Sequence, residues 1–315
     1  MKFSIILPTI SINNTLLLAI DSLINQKYKG KYEIIIIIDD INSAIKDGLS
    51  VLYKNEIKNR LIKLIQNKTN MGLTKSLNKA ISYAKGKFII RNDEDDISSL
   101  DRLEKIASIL EKNNKIKFIS SNFHYQYTKK KYINKKVYVN SDLHKILKFK
   151  NPIAHSSVCF EKKLFHTLGM YNESLTVSQD YELWCRIIAN YRNYHHHITK
   201  SLVTIRINNE SISKKNSIIQ RLNSILISLK FEYPNHFNYK NYSDPKKIIS
   251  EIRKLRHKRF YFANNKLNAL IFCYLYNPSE KQGLEIDRFN INLFFNILLI
   301  YLNYPNLLIK KIFNY

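Results

Sequence analysis

The sequence predicts an α/β fold in which helices flank a mostly parallel sheet, followed by a second, helical region. Two observations support this prediction. Short β-branched runs alternate with segments of helical spacing up to residue 93, and these runs end in proline or in acidic residues. The chain has 315 residues, enough for two units, which we place at residues 1–213 and 214–315.

The first 40 residues predict a β-α-β unit. The run "FSIILPT" at 3–9 and the run "YEIIIIIDD" at 32–40 have the apolar composition of strands buried on both faces. Between them, residues 13–28 carry apolar side chains at helical spacing. The same alternation then predicts a helix over about 48–60, a strand at 61–66, a helix at 74–86 that ends at Gly86, and a strand at 87–93.

The character of the chain changes after about residue 214. Segments 216–231 and 245–276 have helical patterns, some of them basic and amphipathic. Residues 289–309 are uncharged, but asparagines and a proline interrupt them, so they make a poor membrane-spanning helix. Two alternatives stay open for this tail: burial against the first unit, or a helix at a membrane surface with Lys310 and Lys311 toward anionic lipid.

The chain is strongly basic, with 51 Lys and Arg against 25 Asp and Glu and a formal net charge of +26. This charge favours a polyanionic partner such as nucleic acid, an anionic membrane or a phosphorylated substrate. The alternative is compositional drift, because Lys, Asn and Ile are abundant along the whole chain. The stretch "RKLRHKRFYF" mixes basic and aromatic residues as nucleic-acid-binding segments do, but it does not explain the acidic strand ends.

Cysteine usage and the N-terminus bear on the cellular compartment. Cys159, Cys185 and Cys273 lie far apart without CxxC spacing, which favours neither a disulfide framework nor a zinc site and fits a reducing cytosol. The start "MKFSIILPTI" has too short an apolar core for a secretory signal, so we expect the chain to stay on the cytoplasmic side.

Turn-forming and acidic residues follow three of the predicted strands. Pro8 and Thr9 end the first, Asp39 and Asp40 end the second, and residues 93–96 follow the fourth. Open α/β sheets bind ligands beyond the carboxyl ends of their strands. The sequence therefore predicts a ligand site at this edge.

The cluster at residues 93–96, three Asp and one Glu, has two interpretations. Acidic residues near a helix start are favoured by the helix dipole, so the cluster could be a solvated turn before a helix that begins near Leu100. Alternatively, its oxygens could hold Mg²⁺ or Mn²⁺, which bind one or two carboxylates together with phosphate oxygens.

Five segments in order resemble family 2 glycosyltransferases of the GT-A fold. They are "IILPT", "SLINQKYKGKYEIIIIIDD", "NMGLTKSLNKAISYAKGKFIIRNDEDDISSLDRLEK", "HSSVCFEKKLFHTLGMYNE" and "QDYELWCRI". The resemblance covers about residues 3–213. It implies metal-dependent, inverting transfer of a sugar from a nucleotide-diphosphate donor, in the first place a UDP-sugar, to a hydroxyl of a lipid-linked or surface glycan.

The resemblance assigns residues to the donor and to a Mn²⁺ or Mg²⁺ cofactor. Asp40 matches the acceptor of a uracil hydrogen bond, with Asp39 as the alternative; Asp93 matches the ribose contact of a DxD motif and Asp95 its metal ligand, with Asp93 as a second ligand. The remaining donor positions are Pro8 and Thr9 beside the base and ribose, and Gly72 and Lys75 in the segment that closes over the nucleotide.

Asp180 matches the family's catalytic base, which removes the proton from the acceptor hydroxyl. Its alternative role, or that of Ser178, is to cap the following helix. The family usually has Glu before this Asp, whereas this chain has Gln179. Glu182 and Trp184 could line the acceptor pocket, although a core tryptophan is an equal alternative.

Two further positions are weaker expectations of the resemblance. Arg206 could neutralise the diphosphate or form a surface ion pair. His155 could approach the metal or diphosphate, or serve as a structural histidine. The run "HHH" at 195–197 is not expected to bind metal, because consecutive strand residues alternate faces.

The expected partners are therefore a nucleotide-sugar donor and a glycan acceptor. Peripheral contact of the C-terminal helices with the inner face of the cell membrane would suit a lipid-linked acceptor, and no nucleic acid is expected. Three alternatives remain. A nucleotidyltransferase would need a basic, glycine-rich loop after the first strand, which "LPTISINN" lacks; a nucleic-acid-binding protein would use the basic charge; and an inactive relative would keep the fold alone.

Overall fold

The computed structural model describes residues 2–127, 130–133, 140–207 and 217–232. The chain divides into two compact units, Met1–Lys215 and Asn216–Tyr315. The predicted helix at 216–231 is present as Ser217–Glu232. The other predictions for the C-terminal region, including the 245–276 helices and the 289–309 tail, lie outside the described residues.

The first unit alternates strands and helices as the sequence predicts. Its strands are β1 Phe3–Thr9, β2 Tyr32–Ile38, β3 Ile62–Gln66, β4 Phe88–Arg91, β5 Ile97–Ser98, β6 Phe118–Tyr127, β7 Lys130–Ile133, β8 Val158–Glu161 and β9 His195–Arg206. Its helices are α1 Asn14–Ile24, α2 Ser43–Leu52, α3 Lys54–Lys58, α4 Leu73–Tyr83, α5 Arg102–Lys112, α6 Asn140–Leu147, α7 Leu164–Leu168 and α8 Gln179–Tyr191. The helix of the second unit, Ser217–Glu232, is α9.

The strands of the described residues form one sheet in the order β3-β2-β1-β4-β8-β6-β9-β5, with β7 paired to β6. Strands β1 to β4 pair with one another in parallel, which confirms the α/β prediction for the N-terminal half. The whole sheet is mixed rather than mostly parallel, because β8 runs antiparallel to both β4 and β6 and β5 runs antiparallel to β9.

The apolar runs are strands because both of their faces are covered. Alternate residues of β1, β2 and β4 pack with one face of α1, α2 and α5 into a single buried core. Helix α4 contacts β1 and β2 with residues outside that core. Asparagines begin two of these helices: the side chains of Asn13 and Asn42 accept hydrogen bonds from Leu16 and Ala44 N–H.

Two predicted helix boundaries were wrong. The helix expected at 48–60 begins earlier and breaks near Tyr53 into α2 and α3. Helix α4 ends at Tyr83, so Gly86 is not its terminator. A Cβ on Gly86 would lie 2.4 Å from the backbone nitrogen of Ser4, and glycine is needed there because the turn before β4 presses against β1.

The parallel register brings the strand ends together at one edge. Asp39 N–H donates to Thr9 O at 2.8 Å, Asn67 N–H to Ile38 O at 2.8 Å, and Asn92 N–H to Ile6 O at 3.0 Å. The segments after β1, β2, β3 and β4 therefore meet where the sequence predicted a ligand site. Within the described ranges, no helix has the length and apolar character needed to cross a membrane.

Candidate functional site

Asp39 organises the loop that leads into α4. Its buried carboxylate accepts hydrogen bonds from Asn67 Nδ2 at 2.7 Å and from the backbone N–H groups of Met71 and Gly72, both at 2.8 Å. Gly72 has a φ of 81°, a conformation that favours glycine. The carboxylate of Asp39 thus fixes the start of α4 instead of pointing toward a ligand.

Asp40 lies on the outer side of the same strand end. It is partly exposed, and its Oδ1 accepts a hydrogen bond from Asn42 N–H at 2.7 Å. Lys75 is exposed on the first turn of α4, and Pro8 and Thr9 are buried at the end of β1. Of the two neighbouring aspartates, Asp40 is therefore the one whose carboxylate is available to a ligand at this edge of the sheet.

The contrast between these aspartates gives a matched test. We expect Asp39→Ala to lower the free energy of unfolding by about 2 kcal/mol, because it leaves several N–H donors without their hydrogen-bond acceptor. Asp40→Ala should change stability by less than about 0.5 kcal/mol. Urea unfolding of both variants provides the measurement. Equal stability of the two variants would contradict the role of Asp39.

Asp93 is held from two sides in the acidic loop, residues 92–96. Its Oδ1 accepts a hydrogen bond from the buried Arg91 guanidinium at 2.5 Å, and its Oδ2 accepts one from Ser156 Oγ at 2.6 Å. Burial alone would raise the pKa of Asp93, but the charge of Arg91 and these hydrogen bonds hold it below its usual value. Asp93 is therefore an ionised carboxylate of fixed orientation.

The rest of the acidic loop carries negative charge that is poorly compensated. Glu94 accepts a hydrogen bond from Thr9 Oγ1, which ties the loop to β1. Burial and the charge of Asp93 raise the pKa of Asp95 to about 6. The same causes raise the pKa of the buried Asp96 well above its usual value, although Arg206 N–H donates to its Oδ1 at 3.3 Å. Repulsion of this kind is typical of a cation site.

Sequence reasoning missed Arg102, which holds the acidic loop from inside the core. Its guanidinium is almost fully buried and donates to Asn92 Oδ1 at 3.0 Å and Ser98 Oγ at 2.8 Å, on either side of the loop. It also donates to the backbone carbonyls of Arg91 at 2.9 Å and Ser156 at 2.5 Å. A basic residue two positions before "EKI" looks like an ordinary surface charge of a helix, so its signal in the sequence was weak.

Asp180 lies in the first turn of α8. Ser178 occupies the N-cap position with a φ of 61° and makes no side-chain capping bond, so its left-handed backbone sets how α8 begins. The Oδ2 of Asp180 accepts a hydrogen bond from Asn151 Nδ2 at 2.8 Å. Burial raises the pKa of Asp180 to about 6, and the charge of Asp93 adds to this rise. The two carboxylates are thus within electrostatic reach of each other.

His155 lies near Asp93 and packs against aromatic side chains. Its Nε2 is 2.9 Å from the hydroxyl of Tyr171, and its ring meets that of Trp184 edge-on at 6.1 Å. Burial and the charge of Arg91 lower the pKa of His155 to about 3, so the imidazole is neutral. Trp184 is fully buried and stacks on Phe118 at 5.0 Å.

The other predicted residues also make structural contacts. Glu182 is buried and forms a bidentate ion pair with Arg186, with distances of 2.7 and 2.8 Å. Arg186 in turn donates to the backbone carbonyls of residues 168–170. The backbone of Arg206 lies beside the acidic loop through its bond to Asp96. Acceptor roles for Glu182 and Trp184 stay predictions, and these contacts give each a structural role.

The histidine run begins β9. His195 Nε2 and His197 Nδ1 both lie within 2.9 Å of Ser120 Oγ, while His197 Nε2 is 3.0 Å from Asn122 Oδ1. His195 and His197 share one face of the strand, as period-two alternation requires.

The acidic loop fits a hard divalent cation. It offers carboxylate oxygens, the ligands such cations prefer, and the pKa values of Asp95 and Asp96 are raised by burial and by the charge of Asp93, which a cation would offset. In the part of the chain that the structure describes, no three or more His, Cys, Asp or Glu side chains are grouped to hold a metal. The protein would thus supply one or two ligands, as at sites where Mg²⁺ binds substrate phosphates.

The family model described as Glycosyl transferase family 2 matches residues 4–168. EpsE of Bacillus subtilis is 27% identical over 229 residues, which cover 72% of this chain and 80% of EpsE. The O-antigen biosynthesis glycosyltransferase WbnJ of Escherichia coli is 29% identical over 199 residues, covering 62% of this chain and 76% of WbnJ.

A third relative has a more detailed name. The UDP-Glc:alpha-D-GlcNAc-diphosphoundecaprenol beta-1,3-glucosyltransferase WfgD of Escherichia coli is 34% identical over 120 residues, 38% of this chain and 45% of WfgD.

Solved structures share the fold at low identity. TarS of S. aureus in complex with UDP-GlcNAc superimposes with a TM-score of 0.55 at 16% identity, covering 87% of this chain and 81% of that one. The mannosyltransferase PcManGT of Pyrobaculum calidifontis, in complex with GDP-Man and Mn²⁺, gives a TM-score of 0.53 at 14% identity, covering 88% and 81%.

Proposed function

This chain belongs to glycosyl transferase family 2 and has the GT-A fold, and from that membership we propose that it transfers a sugar, with inversion, from a nucleotide-diphosphate donor to a hydroxyl group. The observation that carries the proposal is the placement of Asp180. It is held by Asn151 within electrostatic reach of Asp93 on the acidic loop. A base facing a donor-binding carboxylate suits a single displacement.

The donor lies across the strand ends in this proposal. Asp40 accepts a hydrogen bond from the base, the ionised Asp93 accepts one from a ribose hydroxyl, and the backbone around Gly72 lies against the nucleotide. Lys75 and Arg206 add positive charge near the diphosphate. A UDP-sugar is the proposed donor, supported by the UDP-Glc in the name of WfgD and the UDP-GlcNAc bound to TarS.

Asp180 acts as the general base. Its carboxylate takes the proton from the acceptor hydroxyl while the hydroxyl oxygen attacks the anomeric carbon and the bond from that carbon to the diphosphate breaks. A pKa of about 6 leaves this carboxylate ionised at neutral pH and keeps it basic enough to accept a proton.

A divalent cation is the proposed cofactor, with Asp95 as its main ligand and Asp93 beside it. When bound, it supplies positive charge that stabilises the departing diphosphate. Asp95 is the more available ligand because both oxygens of Asp93 already accept hydrogen bonds. The Mn²⁺ in PcManGT supports this proposal.

The proposed acceptor is a lipid-linked or surface glycan. The O-antigen and diphosphoundecaprenol terms in the names of WbnJ and WfgD support it. The formal charge of +26 would favour contact with the anionic inner face of the cell membrane, where such an acceptor would be met.

A nucleotide titration tests the proposal. Purified protein is melted with UDP, GDP, ADP or CDP, with and without Mn²⁺ or Mg²⁺, and a ligand at 100 times its Kd should add about 2.7 kcal/mol of stability. We expect metal-dependent stabilisation by UDP, followed by UDP release when UDP-sugars meet alkyl-diphosphate-linked N-acetylglucosamine. Binding without turnover of any sugar would indicate an inactive relative. Salt-sensitive binding to RNA in place of nucleotide binding would overturn the proposal.

A further inference from the structure

One short segment contacts both carboxylates to which the proposed function assigns chemistry. The positioning segment, residues 151–157, follows α6 and leads into β8. At its start, Asn151 Nδ2 donates to Asp180 Oδ2 at 2.8 Å. Near its end, Ser156 Oγ donates to Asp93 Oδ2 at 2.6 Å, and Asp93 N–H donates back to Ser156 Oγ at 3.0 Å.

The segment is itself fixed. Asn151 Oδ1 accepts a hydrogen bond from Ile153 N–H at 3.1 Å, and this bond settles which end of the amide faces Asp180. Ser157 donates from both its N–H and its Oγ to Ala154 O, at 3.0 and 2.9 Å, closing a tight turn. The Ser156 carbonyl accepts from the buried Arg102. Neither end of the segment moves without breaking one of these bonds.

We infer that residues 151–157 position the base and the donor carboxylate relative to each other, with Asn151 and Ser156 as positioning residues. The inference rests on the proposed function of Asp180 and Asp93. Asn151 donates to Oδ2 of Asp180, and together with backbone N–H groups at the start of α8 it fixes the orientation of this carboxylate. Ser156 holds Asp93 against Arg91 in the orientation that meets the donor. A few residues of chain thereby set the separation of acceptor and donor.

The inference has a consequence for the ionisation of Asp180. Asn151 donates to the charged carboxylate and so lowers its pKa, against the effect of burial. Within the described residues, the ionisable groups in electrostatic reach are Asp93 on the acidic loop, Tyr171 before α8 and Cys185 on α8 itself. The charge of Asp93 raises the pKa of Asp180, so loss of the Asn151 hydrogen bond should raise that pKa further.

The first test replaces Asn151 by alanine, with Asn172→Ala as the matched control. Asn172 closes a similar turn, accepting from Ser174 N–H at 3.1 Å, on an exposed loop. Full-length protein labelled with ¹³C at the Asp carboxyls is titrated by NMR, and the Asp180 signal is assigned by its loss in Asp180→Asn. We expect a higher pKa of Asp180 in Asn151→Ala and the wild-type pKa in Asn172→Ala.

The same variants are compared in turnover of UDP-glucose and UDP-GlcNAc. Loss of a hydrogen bond to a charged group should reduce kcat roughly 10- to 100-fold in Asn151→Ala. UDP affinity should be retained, and the loss of activity at low pH should begin at a higher pH than in wild type. A kcat, a pH profile and an Asp180 titration all equal to the control would overturn the inference for Asn151.

The second test concerns Ser156, with Ser50→Ala as its control, because the Ser50 hydroxyl donates only to the backbone carbonyl of Lys46, at 2.7 Å, on α2 and outside the positioning segment. We expect Ser156→Ala to weaken UDP binding in Mn²⁺ roughly tenfold or more, with little loss of kcat at saturating donor. UDP binding by Ser156→Ala equal to that of Ser50→Ala would overturn the inference for Ser156.

Failure of the inference can be told apart from failure of the proposed function. If Asp180→Asn retains full turnover, the base assignment fails whatever Asn151 does. If Asp180→Asn is inactive while Asn151→Ala and Ser156→Ala behave like their controls, the base stands and the positioning segment does not.

Discussion

Replacing Asp180 by asparagine is expected to reduce sugar transfer roughly 100- to 10,000-fold while UDP binding in Mn²⁺ stays within a factor of two of wild type. A general base contributes a rate factor of about this size, and asparagine has nearly the same shape but cannot accept the proton. The donor contacts of the proposal lie on other elements, at the ends of β1, β2 and β4. Steady-state kinetics and UDP titration of the variant measure the two effects.

Stability and a surface variant serve as controls. Burial makes the ionised Asp180 unfavourable, so Asp180→Asn should melt no lower than wild type at pH 8. Asp47→Asn, at an exposed position of α2, makes the same chemical change away from the site and should leave kcat unaltered. A variant that loses UDP binding together with turnover would show that Asp180 acts through the donor site instead of as the base.

The same assignment sets the sign of the pH dependence. The base must be ionised to work, and its pKa is raised to about 6. The value of kcat/KM should therefore be constant above pH 7 and fall about tenfold per pH unit below pH 6. An ordinary surface aspartate would keep full activity down to about pH 5. A flat profile between pH 5 and 7 would contradict Asp180 as the base.

The sequence predicted those parts of the site that depend on local pattern. Apolar runs that end in acidic residues mark β2 and β4, and parallel pairing alone brings Asp40 and Asp93 to one edge. The GT-A fold followed from the order of the five segments, and the family match confirms the family assignment. Local pattern does not extend to the second half of the sheet, where β8 is antiparallel to both neighbours.

Two residues that sequence analysis missed, Arg102 and Asn151, contact partners distant in the chain. Arg102 is 54 positions from Ser156, and Asn151 is 29 positions from Asp180. Asparagine before proline is a common turn signal, so the sequence around Asn151 does not indicate its contact with Asp180. A stronger signal was available for Arg91, because a charged residue that continues the apolar run of β4 must be paired when buried.

Helix α8 shows why neighbouring residues of one motif differ in function. Asp180 is in its first turn at the strand-end edge, whereas Trp184, one turn later, is fully buried against Phe118. Glu182 is turned toward Arg186, which lies one turn further on the same face. Which face of a helix is covered depends on the strands packed beneath it, and for α8 the sequence did not predict those strands.

The second large effect is expected at Asp95. Asp95→Ala should abolish the stabilisation that UDP and Mn²⁺ give together, a loss of about 2.7 kcal/mol at a UDP concentration 100 times the wild-type Kd. Without nucleotide, the variant should be at least as stable as wild type, because the change removes a carboxylate that Asp93 and Glu94 repel. Opposite effects on the free and the ligand-bound protein are the signature of a metal ligand, and thermal melts with and without UDP and Mn²⁺ measure both.

Glu94→Gln is the matched control for Asp95→Ala, since Glu94 is the adjacent carboxylate and hydrogen-bonds to Thr9. It removes one negative charge from the same loop, so an effect of charge alone would appear in both variants. We expect Glu94→Gln to keep metal-dependent UDP binding, and EDTA to reduce wild type to the level of Asp95→Ala without lowering that variant further. UDP stabilisation that survives in Asp95→Ala and resists EDTA would mean that the protein binds the nucleotide without a cation. The raised pKa of Asp95 would then reflect only burial and the charge of Asp93.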